Sequence, residues 1–113
     1  MVNKTILIGN LGNDPEQTNL ESGKVLTKFS LATSKKVGEE YKTTWHNIIM
    51  WNKTAEIAAK YLKKGSKVYL EGEIDNRSYD DKEGNKRYVS DVVCYQMQML
   101  DKKGEGEENE MPY

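Results

Sequence analysis

Cysteine and histidine each occur once in this 113-residue chain, as Cys94 and His46. An intrachain disulfide is therefore excluded, and so is a structural zinc site built from four Cys or His ligands. Long apolar runs are missing as well. No stretch approaches the ~18 to 20 consecutive apolar residues that cross a bilayer as a helix. The opening Met1-Val-Asn-Lys-Thr-Ile-Leu-Ile-Gly9 turns polar at once, without a small-residue cleavage site. Neither a membrane span nor a secretory signal is expected, which makes the cytoplasm the expected location. Signatures of catalysis are equally sparse. Gly9, Gly12, Gly23, Gly65 and Gly72 form no phosphate-cradling loop of standard spacing. His46 has no Ser, Cys or Asp at a spacing that signals a triad, and a packed or interface histidine is the favoured reading. Asp80, Asp81 and Glu83 fall in a predicted turn with Lys82 and Gly84, where turn formation and solvation explain them better than a metal-dependent active site. No enzyme activity, cofactor or metal is expected. A marked charge of either sign is lacking too. The net charge is -1, from 17 basic and 18 acidic residues, which taken whole speaks against a polyanion-binding surface.

The whole-chain figure conceals a division. Residues 1–100 carry 15 basic and 13 acidic side chains, a net +2, whereas residues 101–113 carry 2 basic and 5 acidic, a net -3. The second segment, Asp101-Lys-Lys-Gly-Glu-Gly-Glu-Glu-Asn-Glu-Met-Pro-Tyr113, has no apolar residue until its last three. It cannot bury enough surface to offset the entropy of ordering. It reads as a disordered acidic tail on a folded domain of residues 1–100. A purely solubilising tail has no use for the apolar Met111-Pro112-Tyr113 tip. An interaction tail, with Glu108 and Glu110 supplying charge beside the tip, accounts for both features.

Within residues 1–100, period-2 alternation dominates. Val25, Phe29 and Leu31 are apolar with Lys28 and Ser30 between them, the mark of a half-buried strand. Val68, Leu70, Gly72 and Ile74 repeat the pattern, with Tyr69, Glu71, Glu73, Asp75, Arg77 and Tyr79 on the opposite parity. Thr5–Leu11, Tyr41–Trp51 and Arg87–Met99 complete five β-rich segments. One helical pattern stands between the third and fourth, where Ala55, Ala58, Ala59 and Leu62 recur at helical spacing, with Asn52 or Thr54 as the expected N-cap. Turn signals at residues 12–15, 21–23, 38–40 and 80–85 separate the segments. Three strands, a helix and two strands describe an all-β, five-stranded Greek-key barrel with one α-helix between strands 3 and 4, the OB fold. A small sandwich or an SH3-like barrel alternates in the same way.

The aromatic residues carry the functional signal. Tyr41, Trp45 and Trp51 share parity along one predicted strand, so an unbulged strand shows all three on one face. That face would be the core by default, but the opposite parity supplies Ile48 and Met50, and two tryptophans are a heavy investment for so small a core. Tyr79 follows Arg77 by two residues on another strand, beside the 80–85 turn. Lys35, Lys36, Lys42, Lys53, Lys82, Lys86 and Arg87 occupy predicted loops or strand ends around these rings. Cations that track phosphates, interleaved with rings that stack on bases, are what single-stranded nucleic acid requires; each stacked base contributes about 1 to 3 kcal/mol in any sequence.

Several blocks, in order, resemble one family. They are Lys4-Thr-Ile-Leu-Ile-Gly-Asn-Leu-Gly-Asn-Asp-Pro-Glu16, Phe29-Ser-Leu-Ala-Thr33, Thr44-Trp-His46, Ala55-Glu-Ile57, Tyr61-Leu-Lys-Lys-Gly-Ser-Lys-Val-Tyr-Leu-Glu-Gly72, Arg87-Tyr88 and Met97-Gln-Met-Leu100. Together they are similar to the bacterial-type single-stranded DNA-binding proteins over essentially residues 1–100. The resemblance implies an OB fold, a homotetramer, no catalysis, and binding of single-stranded DNA without strong sequence preference. It further implies protection of exposed strands in replication, recombination and repair, nucleoid association, and an acidic tail that recruits proteins of those processes. Matched by position, Trp45 and Trp51 are base-stacking residues, Tyr79 stands where the family has a third stacking tryptophan, and Arg77, two residues before it, matches a family arginine counted with the DNA-binding residues. Lys35 and Lys53 match the neighbourhood of phosphate contacts, and His46 matches a histidine that supports subunit association. Val37 stands where relatives place another stacking tryptophan, a loss that Tyr41 partly replaces. Asp75 occupies a position that is often basic. An RNA-binding module of the same fold and a protein-interaction barrel working through the tail are the remaining readings.

Overall fold

The computed structural model describes residues 1–101. The acidic-tail residues singled out above, Glu108, Glu110, Met111, Pro112 and Tyr113, lie outside the described residues. Six strands and one helix form in the order β1 (Thr5–Leu11), β2 (Glu16–Asn19), β3 (Val25–Val37), β4 (Glu40–Trp51), α1 (Asn52–Tyr61), β5 (Lys67–Asp80) and β6 (Lys86–Met99). Neighbouring strands run β1-β5-β6-β4-β3, and antiparallel contacts of Asn10 with Ala32 and Leu11 with Leu31 return β3 to β1. Five strands thus close a barrel. β4 and β6 pair in parallel over Asn47–Met50 and Asp91–Cys94; the other pairs are antiparallel.

Alternation places the barrel's contents. Phe29 and Leu31 of β3, Ile48 and Met50 of β4, Val68 and Leu70 of β5, and Val92 and Cys94 of β6 point inward and are buried. Leu31, Ile48, Met50, Val68 and Leu70 are fully enclosed, each stabilising the fold by about 1.5 to 3 kcal/mol. The period breaks once. Glu71 pairs with Gln96 while Gly72 pairs with Cys94, which leaves Tyr95 as an extra residue in β6. Beyond this bulge the core-facing position moves to Met97. Gly72 is required beside the bulge, since a β-carbon there would run into the Val93 carbonyl oxygen.

The helix closes one end of the barrel through Ala55, Ala58 and Leu62, and the buried Thr27 Oγ1 donates to the Ala55 carbonyl at 2.8 Å. Neither Asn52 nor Thr54 caps it as expected. Trp51 is the N-cap residue and makes no side-chain capping bond. Asn52 instead adopts φ 54° and accepts from the Val25 N–H at 3.4 Å.

Two further differences concern strand extent. β2, which pairs Glu16–Asn19 with Val25–Lys28, was not anticipated; all four of its residues are exposed, so no alternation announced it. β3 runs on through Lys35 and Lys36 to Val37, past where a loop or strand end was expected, and turns through Gly38 and Glu39 into β4. Likewise β5 and β6 continue past the barrel as a hairpin, exposed from Glu73 to Asp80. Its turn is held by Asp81, whose Oδ1 accepts from the N–H groups of Glu83 and Asn85 at 2.9 and 2.8 Å and whose Oδ2 accepts from Arg87 Nε at 2.9 Å. The same bonds, led by that from Asn85, hold the Asp81 carboxyl below its ordinary pKa.

Candidate nucleic-acid interface

β4 sends even-numbered residues into the barrel and odd-numbered residues out. Tyr41, Trp45 and Trp51 therefore share the outer face, 71%, 61% and 39% exposed. Their cross-strand partners on β3 are Lys36, Ala32 and Leu26. Trp45 is supported from below by Gly12 and lies close to Ser30. Ser30 is fixed in turn by Asn13, whose Oδ1 accepts from the Ser30 N–H at 2.9 Å and from its hydroxyl at 2.8 Å. A ring held edge-down on small residues with one flank open is preorganised to stack on a base.

Between Trp45 and Trp51 the outer face sinks into a shallow pocket of about 310 Å³ lined by residues including Lys28, Ser30, Asn47, Ile49, Arg77 and Asp91. Arg77 reaches this pocket from β5 by leaning back onto β6, where its Nε donates to Asp91 Oδ2 at 2.7 Å. Asp91 is 2% exposed, and its Oδ1 has no hydrogen-bond partner among the described residues. This bond and the adjacent negative charge raise the guanidinium pKa further above its ordinary value.

Lys53 sits in the first turn of α1, exposed and two residues beyond Trp51. Tyr79 is 49% exposed near the tip of the β5–β6 hairpin, opposite Arg87. Lys35 pairs with Lys42, on the parity of Thr33 and His46, so period 2 sets it on the face opposite the aromatic rings and brings Lys36 onto their face beside Tyr41. His46 is half-buried, with its Nε2 and the Thr33 hydroxyl 2.9 Å apart. Burial lowers its pKa below 6.5. Asp75 is exposed and registers with Asp91. Among the described residues, no group of three or more His, Cys, Asp or Glu side chains is arranged to hold a metal ion, and no helix is long and apolar enough to cross a membrane. Cys94 is buried in the core, and desolvation pushes its thiol up to about 11, far from a reactive thiolate.

Lys28, Asn47 and Asp91 escaped the reading of the sequence. Nothing in their local spacing distinguishes them; only strand register brings them together.

A closed five-stranded barrel with its helix between the β4 and β5 strands, carrying aromatic rings on an outer face, is an oligonucleotide/oligosaccharide-binding fold. The family model for the single-strand binding protein family matches residues 2–100, and the chain belongs to that family. It is 46% identical over 93% of its length to single-stranded DNA-binding protein 1 of Chlorobaculum tepidum. It is 42% identical over 93% of its length to the single-stranded DNA-binding protein of Xanthomonas campestris, and 46% over 92% to that of Neisseria meningitidis. The chain spans 68%, 64% and 63% of those three relatives' own lengths. A solved structure described as Plasmodium falciparum SSB complex with ssDNA superposes with a TM-score of 0.84 at 27% identity, covering 89% of this chain and 96% of that one.

Proposed function

We propose that this chain binds single-stranded DNA without strong sequence preference, bases stacking on Trp45, Trp51 and Tyr79 while lysine and arginine side chains take the phosphates. The observation that carries this reading is the pair of half-exposed indoles on one outer face, one of them supported by a glycine, with a polar pocket between them. Core aromatics would be enclosed, and these are not. Relatives named for single-stranded DNA binding support the same ligand. Anisotropy titrations with labelled oligo(dT), the RNA counterpart and a duplex of equal length test it. Binding is expected to favour the single DNA strand, and equal or better binding of duplex contradicts the reading.

In the same proposal the working unit is a homotetramer. β1 pairs with β5 from Thr5 to Asn10 but with β3 only at Asn10 and Leu11. Much of its other edge is open, and Ile6 and Ile8 are 55% and 50% exposed on it. Open edges flanked by apolar side chains invite pairing with a second copy, and His46 contributes to subunit association. The acidic residues 101–113, with the Met111-Pro112-Tyr113 tip, recruit proteins of replication, recombination and repair. Protection of exposed strands at the cytoplasmic nucleoid completes the role. Sedimentation with and without oligo(dT) tests the assembly; a monomer in both conditions contradicts it.

A further inference from the structure

The pocket between the two tryptophans is framed by cations from opposite sides. Lys28 on β3 pairs with Ile49 on β4, while Ala32 pairs with Trp45 and Leu26 with Trp51. Register therefore sets Lys28 on the aromatic face between the two rings. Its ammonium makes no hydrogen bond or ion pair among the described residues. Glu16, its register partner on β2, also lines the pocket but lies beyond ion-pair distance. From the far wall Arg77 enters, anchored through Nε by the buried Asp91, which leaves its Nη groups without a partner among the described residues. Asp91 is thus committed to Arg77, while Lys28 stands uncommitted.

We propose that a backbone phosphodiester of the bound strand passes through this pocket between Lys28 and Arg77, which makes Lys28 a DNA-contacting residue. The inference rests on the single-stranded DNA reading above and adds to it where the strand runs. A chain crossing from Trp45 to Trp51 covers six residues of β4, about 20 Å at strand rise, and must carry phosphates across the ground where Lys28 projects. Phosphate is the fitting chemistry because a lone ammonium acts as a point charge and Arg77 still offers a pair of donors. Glu16, opposite Lys28, tempers the local potential.

Salt-dependent titration with oligo(dT) tests the proposal. Each phosphate neutralised on a single strand contributes about 0.7 to the slope of log affinity against log salt. Lys28→Ala is expected to weaken binding about 3- to 10-fold at low salt and to reduce that slope by about 0.7. Lys28→Arg should preserve both, and Glu16→Gln should tighten binding. A thermal melt of each variant checks that the barrel is intact. An unchanged slope in Lys28→Ala, with or without lost affinity, overturns the proposal, since a packing role moves affinity without moving the number of counterions released. A wild-type chain that binds no single-stranded DNA overturns instead the reading on which it rests.

Discussion

The indole of Trp45 lies over Gly12 so closely that a β-carbon at that position would overlap its Cζ3 and stand 3.1 Å from the Ser30 hydroxyl oxygen. Glycine here serves the ring, not the backbone, because φ at Gly12 is not positive. Gly12→Ala should therefore leave the barrel folded and push the ring off its seat. We expect a shifted tryptophan emission maximum in the free protein and a loss of DNA affinity of up to about 1 to 3 kcal/mol, the contribution of one stacked base. Unchanged emission and affinity would show that the ring is not positioned from below.

Arg77 and Asp91 should behave as a unit. Arg77→Ala leaves a buried carboxylate without its donor, which costs about 1 to 3 kcal/mol for an unsatisfied buried group. Chemical denaturation should show that loss, and Arg77→Ala combined with Asp91→Leu should recover much of it while DNA binding stays weak. Additive losses in the double variant would mean that the two side chains are not coupled.

His46 makes stability depend on pH in a defined window. Burial lowers its pKa in the folded chain, whereas the unfolded chain takes up a proton as pH falls through about 6.5. The residue's stabilising contribution is thus complete above about 6.5 and declines between there and the lowered folded value. Urea midpoints measured at about pH 7.5 and about pH 5.5 should fall further for the wild type than for His46→Gln. Equal falls would assign the pH dependence to other groups.

Residues 101–113 carry a net charge of -3, against +2 for residues 1–100. Removing residues 101–113 changes the net charge from -1 to +2, so the truncated chain should bind oligo(dT) more tightly at low salt, with the difference fading as salt screens it. Equal or weaker binding at low salt would exclude competition between the tail and DNA.

Strand alternation made the barrel legible, because period 2 in Val68, Leu70 and Gly72 or Ile48 and Met50 reports directly which face is enclosed. β2 was silent since both of its faces meet solvent, and the Tyr95 bulge was silent since one extra residue leaves no composition signal. The aromatic face of β4 followed from parity along a single strand. Parity between strands did not: Lys35 and Lys36 differ only in register, and the union of Lys28, Asn47, Arg77 and Asp91 depends on pairings between residues far apart in sequence. Local pattern says which side of a strand a residue takes, and closure of the barrel decides what it meets there.

Intrinsic tryptophan fluorescence during titration with oligo(dT) reads base stacking on this face, because Trp45 and Trp51 are the only two indoles in the chain and both are exposed on the proposed interface. Emission should fall as bases cover the rings, recover as salt is raised and the strand is released, and change much less in Trp45→Phe. No change in emission at low salt with saturating oligo(dT) would contradict base stacking on this face.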